Sequence, residues 1–223
     1  MHCMHLTKEL KGMKAGLSVK NWVIGKAPEV LRNIHNAEVN VAIYDRDTLS
    51  FEAGIRELVY SGINFRAKGS VEDIIRLLES LPGSVGVKAL VNDLASQLEL
   101  FAQVAQAKSY RLLLATVDTN MCRKFHTDIN DLRMLCTYHG PGTMWLTDEN
   151  IDRKALHTIG SDDPVALDEE KIQQVETGSV VILKGAVYPK EDTRAAVHRS
   201  PAIEDGGVRR LLLRIDTNEF LNF

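Results

Sequence analysis

Two polar residues separated by one position, His126 and Asp128 in the stretch CRKFHTDINDLRMLCTY (122–138), are the first candidates for chemistry. In an extended segment, side chains at i and i+2 project to the same face a few ångströms apart. An imidazole and a carboxylate set out this way can grip one metal ion, or can form a polar pair at a strand edge. A second histidine, His198 in VHRSP, follows much later on another β-type run. Two histidines and one carboxylate are a donor set for iron(II) that leaves coordination positions open. A closed four-ligand zinc site has no such opening. Beyond the metal ligands, no residue is assigned a catalytic role. Read alone, His198 is more often a core or edge histidine than a ligand.

Arginines follow the second histidine in VRRLLLRID. Alternation puts Arg209, Leu211, Leu213 and Ile215 on one face, and Arg210, Leu212, Arg214 and Asp216 on the other. The first face is the apolar one and is expected to look inward, with Arg209 at its head. A buried guanidinium needs an anion, either a bidentate oxoacid or a neighbouring acidic side chain. Arg210 takes this place if the register slips. Cys122, Tyr138 and Trp145 are candidate pocket residues, though a small buried thiol and ordinary core packing of the aromatics are the commoner explanations. His2, Cys3 and His5 form a metal-like cluster that reads as incidental at a chain end. No G-x-S-x-G elbow, P-loop or Rossmann glycine pattern is present.

The elements that must position these groups fall into two halves. Residues 1–108 read as a mainly helical layer and residues 109–223 as a β-sandwich or barrel carrying the metal site, integrated into one domain. Helical periodicity is clearest in VKALVNDLASQLELFAQVAQAKS, apolar at Val87, Leu90, Val91, Leu94, Leu98, Phe101 and Val104. Ser70 caps VEDIIRLLESL, a helix is expected in APEVLRNIHN behind Pro28, and another ends at Gly62. VNVAIYD reads as a strand. After Tyr110, YRLLLATVD, DLRMLCTY, SVVILKG, RAAVHRS and RRLLLRID read as strands. HGPGT (139–143) suits a type II turn with Pro141 and Gly142 at its corners. Residues 146–177 form a polar excursion with two short helices expected.

The chain has 223 residues, 44% of them hydrophobic and 26% charged, and a formal charge of −3. That balance offers no nucleic-acid or membrane-surface signal. Three cysteines argue for a reducing compartment. With no signal-peptide h-region and no spanning run, the expected location is cytoplasmic.

CRKFHTD, LRMLCTYHGPGTMWL, IDRKAL, GSVVILKG, and VHRSP followed by RRLLLRID resemble the bacterial family catalogued as domain of unknown function 1826. More distantly, the order of Gly-led strand, distal histidine and basic residue resembles the Fe(II)/2-oxoglutarate-dependent oxygenases. That second resemblance implies an α+β fold whose C-terminal part is a double-stranded β-helix (jelly-roll or cupin-like). It also implies iron on His126, Asp128 and His198, and 2-oxoglutarate on Arg209 or Arg210. The activity implied is hydroxylation of a small molecule or protein. Two alternatives stay open: a non-oxidative, cupin-like protein that handles or senses zinc, and a metal-free interaction module using residues 146–177.

Overall fold

A computed structural model describes residues 20–158, 163–191 and 193–217. The terminal cluster of His2, Cys3 and His5 lies outside the described residues. The helices begin where the sequence supplies caps. Ser70 accepts from the Asp73 amide and Asp73 returns the bond, a capping box that starts α2 (Val71–Glu79). Ser84 accepts from the Val87 amide at the start of α3 (Val85–Ala105). All seven apolar positions expected to face inward along α3 are buried. The earlier helix α1 (Glu52–Ser61) ends at Gly62, whose φ of 66° is the left-handed cap that glycine adopts without strain. Pro28 opens a 3-10 helix, Pro28–His35, rather than an α-helix. Among the described residues, no helix is long and apolar enough to cross a membrane.

The strands are β1 (Trp22–Gly25), β2 (Val41–Tyr44), β3 (Asn64–Gly69), β4 (Tyr110–Val117), β5 (Leu132–His139), β6 (Met144–Trp145), β7 (Gln173–Gln174), β8 (Val180–Lys184), β9 (His198–Arg199) and β10 (Arg210–Thr217). Seven form one sheet in the order β1-β2-β8-β5-β10-β4-β3, and three form a second in the order β7-β6-β9. Among the described residues, only β1 and β2 pair in parallel. The fold is therefore mixed α/β, built around one large sheet.

Both faces of that sheet are covered. Leu112, Leu114, Met134, Cys136, Val180, Ile182, Leu211, Leu213 and Ile215 pack against α1, α2 and α3 in one core. Val41, Ile43, Leu113, Leu135, Val181, Leu183 and Leu212 look the other way and pack against Trp145, Val175, Ala196 and Ile203. A third cluster forms outside the small sheet, where Leu146, Ile151 and Ala166 of the polar excursion cover Phe125 and Val197.

Several expectations need correction. The first half supplies two strands beyond the expected β2, namely β1 and β3, at the two edges of the large sheet. The excursion contains a short helix, α4 (Arg153–His157), but the second expected helix is a 3-10 turn, Glu169–Lys171, that runs into β7. In HGPGT the positive φ belongs to Gly140, at 79°, and not to Gly142. Gly142 is required for another reason: a Cβ there would sit 1.9 Å from the Val175 carbonyl oxygen.

Candidate metal centre

His126 is held by a single antiparallel bridge to His198 rather than by a strand of its own. Each residue's amide donates to the other's carbonyl, both at 3.0 Å. β9 in turn pairs with β6, placing Trp145 opposite His198. Asp128 sits in the loop before β5. That loop is tied to the chain leaving β8 by the Ala186 amide donating to the Asp128 carbonyl and the Gly185 amide donating to the Asp131 carbonyl, both at 2.8 Å.

These restraints bring the three side chains to one point. One ligand atom from each of His126, Asp128 and His198 lies within 4.8 Å of the other two. Asp128 Oδ2 is 3.3 Å from His198 Nε2, Asp128 Oδ1 is 3.7 Å from His126 Nε2, and the ring centroids are 4.6 Å apart. Each Nδ1 faces a backbone carbonyl, Lys124 O at 3.0 Å for His126 and Ala196 O at 3.3 Å for His198. A carbonyl only accepts, so each Nδ1 is placed to donate to it, and an imidazole protonated there would offer Nε2 to a metal. Asp128 Oδ2 is buried without a hydrogen-bond partner. Two imidazole Nε2 atoms and a carboxylate oxygen without an aligned hydrogen bond, gathered at one point, are the donor set a divalent cation would satisfy.

Arg133, on β5, anchors the other carboxylate oxygen. Its Nη1 lies 2.5 Å from Asp128 Oδ1 and its Nε 2.5 Å from Asp216 Oδ1, which also accepts from Asn130 Nδ2 at 3.1 Å. Burial works against the Asp128 charge, but His198, Arg133 and His126 outweigh it and hold its pKa at about 2. His126 is held below its ordinary value, by burial first and His198 second.

Both shifts are depressions, so the stability they confer is full above the unfolded values and drains as the pH falls. His126 contributes its loss below 6.5, and Asp128 contributes its own between 3.8 and about 2. In the metal-free protein, chemical denaturation should show the stability advantage of wild type over Asp128→Asn shrinking by about 2 kcal/mol from about pH 5 to about pH 2. A constant difference across that window would mean that the Asp128 carboxyl is unperturbed.

His126 and His198 line a cavity of about 50 Å³ together with Arg210, Arg214 and Cys122. Arg210 is 1% exposed. Its Nη2 donates to Thr137 Oγ1 at 3.1 Å, its Nε has no partner, and no acidic side chain among the described residues pairs with it. Burial pulls its pKa down to about 10. Arg209, expected to head the inward face, instead is exposed and reaches the Val59 carbonyl on the helical side.

Cys122 is exposed on the cavity wall and is not one of the three converging ligands. Tyr138 lies on the opposite side of the sheet, donating to Asp93 Oδ2 in a buried network with Arg46. Trp145 packs edge-on to Trp22 between the sheets and does not line this cavity. Arg133, Arg214, Asp216 and Thr137 carry much of the site's electrostatics, and of these only the Arg214/Asp216 face was visible in the pattern of RRLLLRID.

Solved structures similar to this chain include oxygenases. Dioxygenase for auxin oxidation 1 from Arabidopsis thaliana, in a complex with 2-oxoglutarate, superposes with a TM-score of 0.51 at 9% identity, covering 89% of this chain and 92% of that one. A prolyl-4-hydroxylase from Pseudomonas putida gives a TM-score of 0.44 at 10% identity, covering 85% and 96%. The Fe(II)/α-ketoglutarate-dependent dioxygenase TqaL gives 0.44 at 11% identity, covering 85% of each chain. At these identities the likeness to the Arabidopsis enzyme is one of fold. No curated protein sequence matches the chain. Residues 25–216 match the family described as protein of unknown function (DUF1826), and the chain belongs to that family.

Proposed function

We propose that this protein is an Fe(II)/2-oxoglutarate-dependent oxygenase that hydroxylates an organic substrate. The two facing sheets are read as a double-stranded β-helix, and residues 1–108 and 109–223 as one integrated domain. The observation that carries the reading is Arg210, a buried guanidinium with no anion, on the wall of the cavity that holds His126 and His198. A charge buried without a counter-ion is costly, and the distal carboxylate of a 2-oxoacid would complete it as a charge-assisted pair.

In this reading His126 Nε2, His198 Nε2 and Asp128 Oδ2 hold the metal. Arg133 fixes the carboxylate plane by occupying Oδ1, and the carbonyls of Lys124 and Ala196 fix the imidazole orientation. Leu135 and Leu212, on the same wall, keep water from the centre. Iron(II) bound here, with 2-oxoglutarate and O₂, supplies the oxidising power to attack a C–H bond. The rim of the cavity at Met121 and Cys122 is exposed, so the oxoacid would enter from that side.

Anaerobic titration with iron(II) and 2-oxoglutarate tests this. A weak visible charge-transfer band, followed by succinate on admission of air, is the expected result. No band, and no succinate with varied primary substrates, would overturn it. Tight zinc at one per chain that is lost in Cys122→Ala would instead favour a zinc-handling protein.

A further inference from the structure

Beside the metal centre, the inner face of the large sheet carries a second concentration of charge that the proposed chemistry does not use. Alternation on β3 and β4 directs Arg66, Lys68 and Arg111 to the same face as Leu113 and Arg214, away from the helices. Across the strands, Lys68 is paired with Arg111 and Arg111 with Asp216, while Arg66 is paired with Leu113 and Leu113 with Arg214. Arg66, Lys68, Arg111 and Arg214 line a groove of about 240 Å³. Arg214 also lines the cavity that holds His126 and His198, so the two spaces share a wall.

Three of these cations, Arg66, Lys68 and Arg111, have no acidic partner among the described residues, and the fourth, Arg214, shares Asp216 with Arg133. Arg66 uses its Nε on the neutral Asn64 Oδ1 at 3.2 Å. Asp216 is the acidic side chain in these rows, and Arg133 already holds its Oδ1. Arg214 Nε lies 3.1 Å from Asp216 Oδ2 yet is buried without an aligned hydrogen bond. The chain as a whole is acidic, with a formal charge of −3, so this local excess is not a general basic surface.

We infer that this groove seats a small phosphate ester carrying at least two phosphate charges, held so that its carbon portion reaches the metal centre as the oxygenase's primary substrate. This rests on the oxygenase reading above. Three arginines and a lysine around one small groove exceed what a single carboxylate neutralises and suit a diphosphate group, to which guanidinium binds through paired N–H donors. The groove is confined to one sheet edge, which favours a small molecule over a nucleic-acid strand tracking a long basic surface.

The test is calorimetric titration of the metal-free protein with inorganic pyrophosphate and with ADP, with citrate and a single-stranded oligonucleotide as comparisons. The expected result is one pyrophosphate per chain, salt-sensitive, and weakened at least about tenfold in a Lys68→Glu/Arg111→Glu variant. Thermal melting checks that this variant folds, and Lys68→Glu alone, at an exposed edge position, provides a milder second variant. No pyrophosphate binding at millimolar concentration, binding unchanged in both variants, citrate as tight as pyrophosphate, or the oligonucleotide tighter than ADP would each overturn the assignment. Iron(II) is titrated separately on the same proteins. Iron bound without pyrophosphate overturns the phosphate seat alone, whereas pyrophosphate bound without iron overturns the oxygenase reading and with it the substrate role, leaving only a phosphate-binding groove.

Discussion

Arg210→Met should make the metal-free protein more stable by roughly 1–3 kcal/mol while abolishing 2-oxoglutarate binding. The two effects have one cause. Arg210 is 1% exposed, makes one side-chain hydrogen bond, to Thr137, and has a buried Nε without a partner. A methionine fills similar volume with no charge to desolvate, and Leu135 and Leu212 on the same wall give it apolar neighbours. A residue whose removal stabilises the fold is retained for something other than folding. Denaturant melts measure the first effect. The second is read by the visible band on adding 2-oxoglutarate to the iron-loaded variant, which should be absent while iron affinity stays within a few-fold of wild type. If the variant is instead destabilised by several kcal/mol, Arg210 is a structural residue. If it still binds 2-oxoglutarate, the oxoacid lies elsewhere.

The arginine choice also shows where the sequence is legible and where it is ambiguous. The alternation in RRLLLRID sorts its side chains correctly into two faces. The inference that the apolar face looks toward the site fails because this sheet is buried on both sides. Leu211, Leu213 and Ile215 face helices, and the mixed face of Arg210, Leu212, Arg214 and Asp216 looks into the space between the sheets. An apolar face identifies a core, but a sheet covered on both sides has two cores. Tyr138, a pocket candidate only because it flanks the GPG turn, takes its other reading as a core residue: it shares its face with Met134 and Cys136 on the helical side while Arg133, Leu135 and Thr137 take the other.

The convergence of His126, Asp128 and His198 was legible because i, i+2 spacing survives even where the segment forms only one bridge. The edge strand β3, reading NFRAKG, was not. Its alternation rests on two apolar residues alone, Phe65 and Ala67, because its outward Arg66 and Lys68 line an open groove. Arg133 could have been found by extending the alternation argument to DLRMLCTY.

His198→Ala should lower iron(II) affinity by roughly 100-fold or more while leaving the fold intact. A protein metal site has a binding free energy on the order of 10 kcal/mol, so loss of one of three ligands costs on the order of 3 kcal/mol. The fold is spared because His198 is fixed mainly by its backbone: the paired amide bonds to His126 and the β9–β6 ladder survive the truncation, and the lost side-chain bond to Ala196 O is a long 3.3 Å. Arg133→Met makes a graded comparison. It leaves all three ligands but frees Asp128 Oδ1, so a loss of about 10–100-fold is expected, as for other residues that orient a ligand. Equilibrium iron titration of both variants under anaerobic conditions gives the ranking. If His198→Ala binds iron as wild type does, the imidazole at position 198 is not a ligand, and the orphaned Asp128 Oδ2 must answer to some other partner.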